Sequence, residues 1–251
     1  MIEDNLKTEE YIVAFIDMLG SKELMREDQA GMLKKVHNVY RESIDILNTI
    51  YGKADSEINV RIFSDNILVF CRCGKIKDFS ALNIVVSLSA IIQVNFLRRN
   101  ILVRGGIAKG DFFADDIMVW GTALVKAYNL ENSIAVYPRI LIDSDIISDI
   151  IPYTSKDKKV NRFKEKYISQ DNDRLSFVNY VAAMDYLKDP LVMKLAFKSW
   201  AGDQISKYVH NIKAVQKWLW HSRFMDDCMF GKDSEFQADE KKNENLKECE
   251  T

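Results

Sequence analysis

Residues 10 to 17, apolar from Ile12 to Ile16, read as a buried strand. It ends on an acid, Asp17, just before Gly20. From 22 to 50, Leu24, Met25, Leu33, Val36, Val39, Tyr40, Ile44 and Leu47 recur near a 3.6-residue period, which predicts one long helix ended by Gly52. Two strand-like runs, 58–63 and 67–71, flank Ser-Asp-Asn, a hairpin signal. A second long helix is predicted over 78–98. "ILVRGGIAKGDFF" reads as a strand interrupted by glycines, "IMVWG" as a short strand and "TALVKAYNLENS" as a helix. "RILID" reads as a further strand and "SDIISDII" as a short helix.

This order, β-α-β-β-α-β-β-α-β to residue 150, predicts an α+β fold: a ferredoxin-like sheet with helices on one face. Residues 8–150 would form this domain. Residues 151–230 would be an extension packing on it: a charged surface excursion over 153–174, a returning strand in "LSFVNYVAAM", and a long amphipathic pattern over 190–224. Residues 231–251 read as a disordered, acidic and lysine-rich tail.

Composition narrows the class. The 251 residues are 47% hydrophobic and 29% charged with net charge -2, so bulk charge does not favour a nucleic-acid polymer. Three prolines and ten glycines imply long regular elements. Cys71, Cys73, Cys228 and Cys249 match no zinc spacing and read as reduced structural thiols. The polar start and the lack of an apolar run near the ~18–20 residues of a membrane span lead to the expectation of a cytoplasmic chain with no signal peptide.

The candidate chemistry lies in two carboxylates. Asp17 ends the first strand and Asp65 lies in the hairpin turn of neighbouring strands, so the two are expected to meet at one sheet edge. Converging carboxylates repel unless a cation lies between them. Mg²⁺ commonly takes one or two carboxylates plus phosphate oxygens. The Gly20 turn offers backbone N–H groups at a helix start, a setting that suits phosphate. Either acid alone is also an ordinary helix cap or turn residue. In "LVRGGIAKG", strand glycines suggest close approach of a backbone or a ligand, and Arg104 and Lys109 supply cations for phosphate oxygens. His37, His210 and His221 read as packing or surface residues. Trp218 and Trp220 read as apolar packing, with base stacking as the alternative.

These pieces, in this order, resemble the class III nucleotidyl cyclases over residues 10 to about 145. "FIDMLGS" is similar to that family's F-x-D-I-x-G-F, "SDN" to its G-D hairpin, "RGGIAKG" to R-x-G-I-x-x-G, and "WGTALVKAYN" keeps the frame of W-G-x-x-V-N-x-A-x-R. The resemblance implies a palm-type catalytic domain acting as a homodimer, with active sites at the interface. It implies that Asp17 and Asp65, helped by the Met18 carbonyl, bind two divalent metal ions, Mg or Mn. It further implies that Leu19, Gly20 and Ser21 offer N–H groups to a triphosphate and that Arg104 holds a terminal phosphate. Arg61 and Met118 occupy the base-reading positions. Val125 and Asn129 stand where the family keeps asparagine and arginine, with Lys109, Lys126 or Arg139 as replacement cations.

The departures are similar to the pyrimidine cyclases of the Pycsar antiphage systems. That branch implies conversion of UTP, favoured because Arg61 can donate to a uracil carbonyl, or CTP, to a 3′,5′-cyclic monophosphate. The product would signal to a separate effector protein. The alternatives are a catalytically silent, palm-like nucleotide sensor, a purine cyclase and, more distantly, a dinucleotide synthase.

Overall fold

The computed structural model describes residues 6–52, 58–73 and 77–231. Cys249 and the expected tail beyond Gly231 lie outside them. The chain divides into two compact units, Met1–Leu187 and Lys188–Thr251, so the boundary expected at residue 150 falls inside the first.

The first unit is an α+β fold. Strand β1 (Glu9–Met18) is followed by helices α1 (Ser21–Glu27) and α2 (Gln29–Tyr51). The hairpin β2 (Ile58–Phe63) and β3 (Asn66–Arg72) comes next, then α3 (Asp78–Leu97), β4 (Val103–Ala114), β5 (Val119–Trp120), α4 (Thr122–Asn129) and a π-turn over Leu130–Ile134. β6 (Ile140–Ile142), α5 (Ser144–Asp149), α6 (Lys158–Tyr167), β7 (Ile168–Gln170), β8 (Ser176–Val178) and a 3-10 segment over Tyr180–Tyr186 complete it. The sheet order is β2-β3-β1-β4-β6-β8-β7, with β5 paired to β4. β1 is antiparallel to both β3 and β4, while β4 and β6 are parallel. The first four strands thus stand in ferredoxin-like order, with β1 in the middle.

Four expectations change. The helix expected over 22–50 breaks at Asp28, whose carboxylate accepts from the Gly31 N–H at 2.8 Å and caps α2. The excursion over 153–174 contains α6 and β7, and β7–β8 extends the sheet. α3 is apolar and long enough to cross a bilayer, yet 83% of its apolar window is buried. Such a helix, apolar all round, is covered on every side. Finally, helices lie on both faces of the sheet. Lys109 of β4 reaches Asp78 at the start of α3, while Val13, Phe15, Ala108 and Phe112 form a core with Ala123 and Ala127 of α4. Successive strand residues point to opposite faces, so Lys109 marks the α3 face, and Gly106, Ala108 and Gly110 mark the α4 face.

That second face explains the strand glycines. A Cβ at Gly106 would lie 2.4 Å from the Ala127 carbonyl oxygen and 2.5 Å from Leu130 Cβ. At Gly110 it would lie 2.9 Å from Thr122 Oγ1. The backbone that approaches these glycines is therefore α4.

Arg139, only 1% exposed, is held by Asp171 at 2.9 Å and by Asp173. It ties the start of β6 to the β7–β8 turn. The second unit contains α7 (Pro190–Lys207) and α8 (Ile212–Phe230), two helices where one long pattern is expected. Trp200 meets Trp218 edge-on at 4.4 Å, and Trp220 stacks on Phe224, so these tryptophans are packing residues.

Gly106→Ala is expected to destabilise the chain by about 1–3 kcal/mol through overpacking against α4. Gly202→Ala, in a helix interior with open space around the new methyl, is expected to stabilise by about 0.5–1 kcal/mol. Denaturant midpoints of the two variants, moving in opposite directions, check both.

Candidate active site

The end of β1 places the first acid. Asp17 lies opposite Asn66 of β3 and Arg104 of β4. The β2–β3 turn carries Asp65, and the Met18 N–H donates to the Asp65 carbonyl at 3.1 Å. That main-chain bond lays the hairpin tip on the strand end. The chain then turns at Gly20, whose φ of 77° is a left-handed conformation that glycine adopts without steric cost. α1 begins at once. Its first residue, Ser21, is buried and donates from Oγ to Asp65 Oδ2 at 2.5 Å, while Asn66 Nδ2 donates to Oδ1 at 3.2 Å. Partial burial works to raise the Asp65 carboxyl. The Ser21 hydroxyl, a backbone donor, Ser64 and the charge of Lys22 outweigh it and hold the group below the usual carboxylate range.

Arg104 joins the cluster from β4. Its Nε lies 3.5 Å from Asp17 Oδ2 and 2.7 Å from Glu131 Oε1, and NH1 donates to the Ala135 carbonyl at 3.3 Å. Glu131, on the π-turn after α4, is 3% exposed. Burial pushes its carboxyl above the usual range. Arg104 opposes that shift, while the charges of Asp17 and Asp65 add to it. The end of β1 thus brings two carboxyl groups, Asp17 and Glu131, onto one guanidinium, with Asp65 near enough for its charge to act on Glu131. The excess of negative charge fits a divalent cation, for which Asp17, Asp65 and the Met18 carbonyl are the candidate ligands.

Glu131 is the residue that sequence reasoning missed. It follows Ala123 and Ala127 at four-residue spacing, so it continues the stripe that α4 lays on the sheet. A carboxylate on that stripe was the available signal.

Other candidates are placed differently. Lys109 is not at this site. It lies five residues further along β4 than Arg104, roughly 17 Å away, on the opposite face, where its ammonium meets Glu10 at 3.1 Å and Asp78 at 2.5 Å. Those two acids and Cys73 also form a metal-type cluster. Lys109 already supplies the cation there, and burial, with the charge of Asp78, pushes the Cys73 thiol up to about 12. The Leu19 N–H donates to the Leu102 carbonyl at 2.9 Å and is not offered to phosphate. Arg139 is enclosed by its acids. Lys126 pairs with Asp145 at 2.9 Å on the exposed side of α4, beside exposed Val125 and Asn129. Arg61 and Met118 both contact Asp115, in the turn after β4. Arg61 NH2 lies 3.5 Å from the Asp115 carbonyl, and Asp115 Oδ1 accepts from the Met118 N–H at 2.7 Å.

Comparison with known proteins gives structural likeness alone. The adenylyl cyclase CyaB from P. aeruginosa aligns with a TM-score of 0.44 at 18% identity, over 68% of this chain and 93% of that one. The guanylyl cyclase Cya2 aligns at 0.40 and 12%, over 68% and 91%. A class III adenylyl cyclase-like ATP-binding protein from Pseudomonas aeruginosa aligns at 0.46 and 11%, over 72% and 41%. No family model and no curated relative matches the chain.

Glu131→Gln tests the charge crowding. A folded-state value raised above the ordinary one brings stability that is complete below the ordinary Glu range and is lost as pH rises through the folded value. The wild type should therefore lose stability relative to Glu131→Gln as pH rises from about 4 to 7. Denaturant midpoints of the two proteins across that range check the sign.

Proposed function

We propose that the chain is a metal-dependent nucleotidyl cyclase that converts a pyrimidine nucleoside triphosphate, UTP in preference to CTP, to the 3′,5′-cyclic monophosphate and pyrophosphate. The carrying observation is the convergence of Asp17 and Asp65 beside Arg104, at the end of the central strand. The order of the four motifs supports the same reading.

In this reaction the 3′-oxygen loses its proton and bonds to the α-phosphorus, and the bond from that phosphorus to the bridging oxygen breaks to release pyrophosphate. A divalent ion, when bound, supplies the charge that lowers the hydroxyl pKa and steadies the leaving group. The chain's own residues prepare the site. Ser21 and Asn66 orient the Asp65 carboxylate, and the Ser21 hydroxyl helps keep it ionised. Gly20 and Ser21 bring backbone close to where phosphate would lie. Arg104 is placed to exchange Asp17 for a phosphate oxygen while Glu131 and the Ala135 carbonyl keep hold of it. Arg61, beside the Met118 turn, carries donors for a pyrimidine carbonyl, whereas Met118 has no acceptor for an adenine amino group.

The assembly proposed is a homodimer. Phe63, Met118, Trp120, Val125 and Tyr128 are exposed apolar residues on the β2–β3 hairpin, β4–β5 turn and α4. A second copy covering them would bring the Arg61–Met118 turn of one protomer to the acids of its partner. The cellular setting proposed is a cytoplasmic messenger synthase for antiphage defence, acting on a separate effector.

A silent nucleotide sensor is the second reading. It is favoured by the pairing of Arg104 with Glu131 and by the exposed Val125 and Asn129 at the positions of the expected asparagine and arginine.

The test is incubation of the purified chain with each of the four ribonucleoside triphosphates and Mg²⁺ or Mn²⁺, with products identified by mass. Cyclic UMP, or less of cyclic CMP, is expected. Asp17→Asn and Asp65→Asn should each lower the rate by more than about 100-fold, the upper range for losing even a supporting partner of a metal ligand. Triphosphate binding without any cyclic product would establish the sensor instead.

A further inference from the structure

A second cleft lies away from the acids, on the part of the sheet formed by β6, β7 and β8. Its volume is about 610 Å³, within the range of about 300–1,000 Å³ typical of small-molecule sites. Leu130 and Ile134 of the π-turn, Leu141 of β6, Ile147 of α5 and Leu175 before β8 supply apolar lining. Ser176, Tyr153, Gln170 and Arg174 form a polar strip along one side. Tyr153 Oη lies 3.4 Å from Ser176 Oγ and accepts from Gln170 Nε2 at 3.2 Å, and the same amide donates to the Arg174 carbonyl at 2.9 Å.

The charges around this cleft are unevenly spent. Asp143 caps α5 by accepting from the Asp145 N–H at 3.3 Å and lies 4.0 Å from Lys126. Asp171 and Asp173, in the β7–β8 turn, hold Arg139. Arg174 is exposed, and its guanidinium makes no ion pair or hydrogen bond among the described residues. Lys164, beyond the lining, spends its ammonium on the Pro152 carbonyl at 2.5 Å, 5.8 Å from the centre of the Tyr153 ring. The polar strip therefore ends in an unspent positive charge beside an apolar floor. One wall is a π-turn, an irregularity that recurs at functional sites.

We infer that this cleft binds a small amphipathic anion, with its apolar body against Leu130, Ile134, Ile147 and Leu175 and its acid group on Arg174. The same π-turn that lines the cleft presents Glu131 and leads to Ala135, the two anchors of Arg104. The bound anion thus lies on the far wall of the element that positions the candidate catalytic arginine.

The experiment uses the full chain and two fluorescent probes of similar shape: anilinonaphthalene sulfonate, which carries a permanent anion, and neutral N-phenylnaphthylamine. Saturable binding of both is expected. Arg174→Asn, chosen because asparagine tolerates the positive φ of 64° at this position, should weaken the sulfonate about tenfold, the loss of one charge-assisted hydrogen bond, and leave the neutral probe unchanged. Ser148→Trp and Thr154→Trp, exposed positions on the cleft's rim, should each abolish saturable binding of both probes while the thermal midpoint stays that of the parent. Absence of saturable sulfonate binding, its survival in both tryptophan variants, or an unchanged sulfonate affinity in Arg174→Asn would overturn the inference. None of these readouts depends on cyclase activity, so the cleft and the active-site proposal fail separately.

Discussion

The main-chain hydrogen bond from the Met18 N–H to the Asp65 carbonyl is the constraint on which the site depends. It ends β1 against the tip of the β2–β3 hairpin, so two carboxylates far apart in sequence share one sheet edge. The left-handed Gly20 then starts α1 within two residues, which brings the Ser21 hydroxyl onto Asp65. A strand end, a turn and a helix start are thereby locked by two hydrogen bonds to Asp65, one from Met18 and one from Ser21. The charges of both acids bear on Glu131, and a cation would offset that excess of negative charge.

The second constraint is the close seat of α4. Gly106 and Gly110 leave bare backbone at two points on one face of β4, and α4 comes down on that face through Ala123 and Ala127. That packing carries the π-turn inward and buries Glu131 against Arg104. The guanidinium is consequently shared between an acid at the mouth, Asp17, and one at the floor, Glu131. In the proposed reaction a phosphate oxygen would replace the longer of these contacts, to Asp17, since Glu131 left unpaired in the interior would be costly.

Much of this was legible in the residues. β1, the hairpin, α3 and β4 announce themselves by apolar runs and turn chemistry, and the convergence of Asp17 with Asp65 follows once the strand order is assumed. What sequence patterns did not reveal depended on faces and distances. Gly106 and Gly110 signal a close approach but not that a helix makes it. Lys109 and Arg104 look alike in "RGGIAK", yet a five-residue separation puts them on opposite faces. Asp28 reads as one more helix residue until its carboxylate is seen to cap Gly31. Arg139 looks like a spare cation until Asp171 and Asp173, more than thirty residues on, close over it. Glu131 escaped notice because its place on the Ala123–Ala127 stripe signals burial only once α4 is known to lie on the sheet.

The most direct measurement is Mn²⁺ affinity, read by electron paramagnetic resonance, for the wild type, Asp17→Asn, Asp65→Asn and the double variant. If both acids hold a common ion, either substitution alone removes most of the affinity and the double variant loses little more, a strongly non-additive cycle. Independent, additive losses, or unchanged affinity in both single variants, would show that the two carboxylates do not share a cation and would contradict the account.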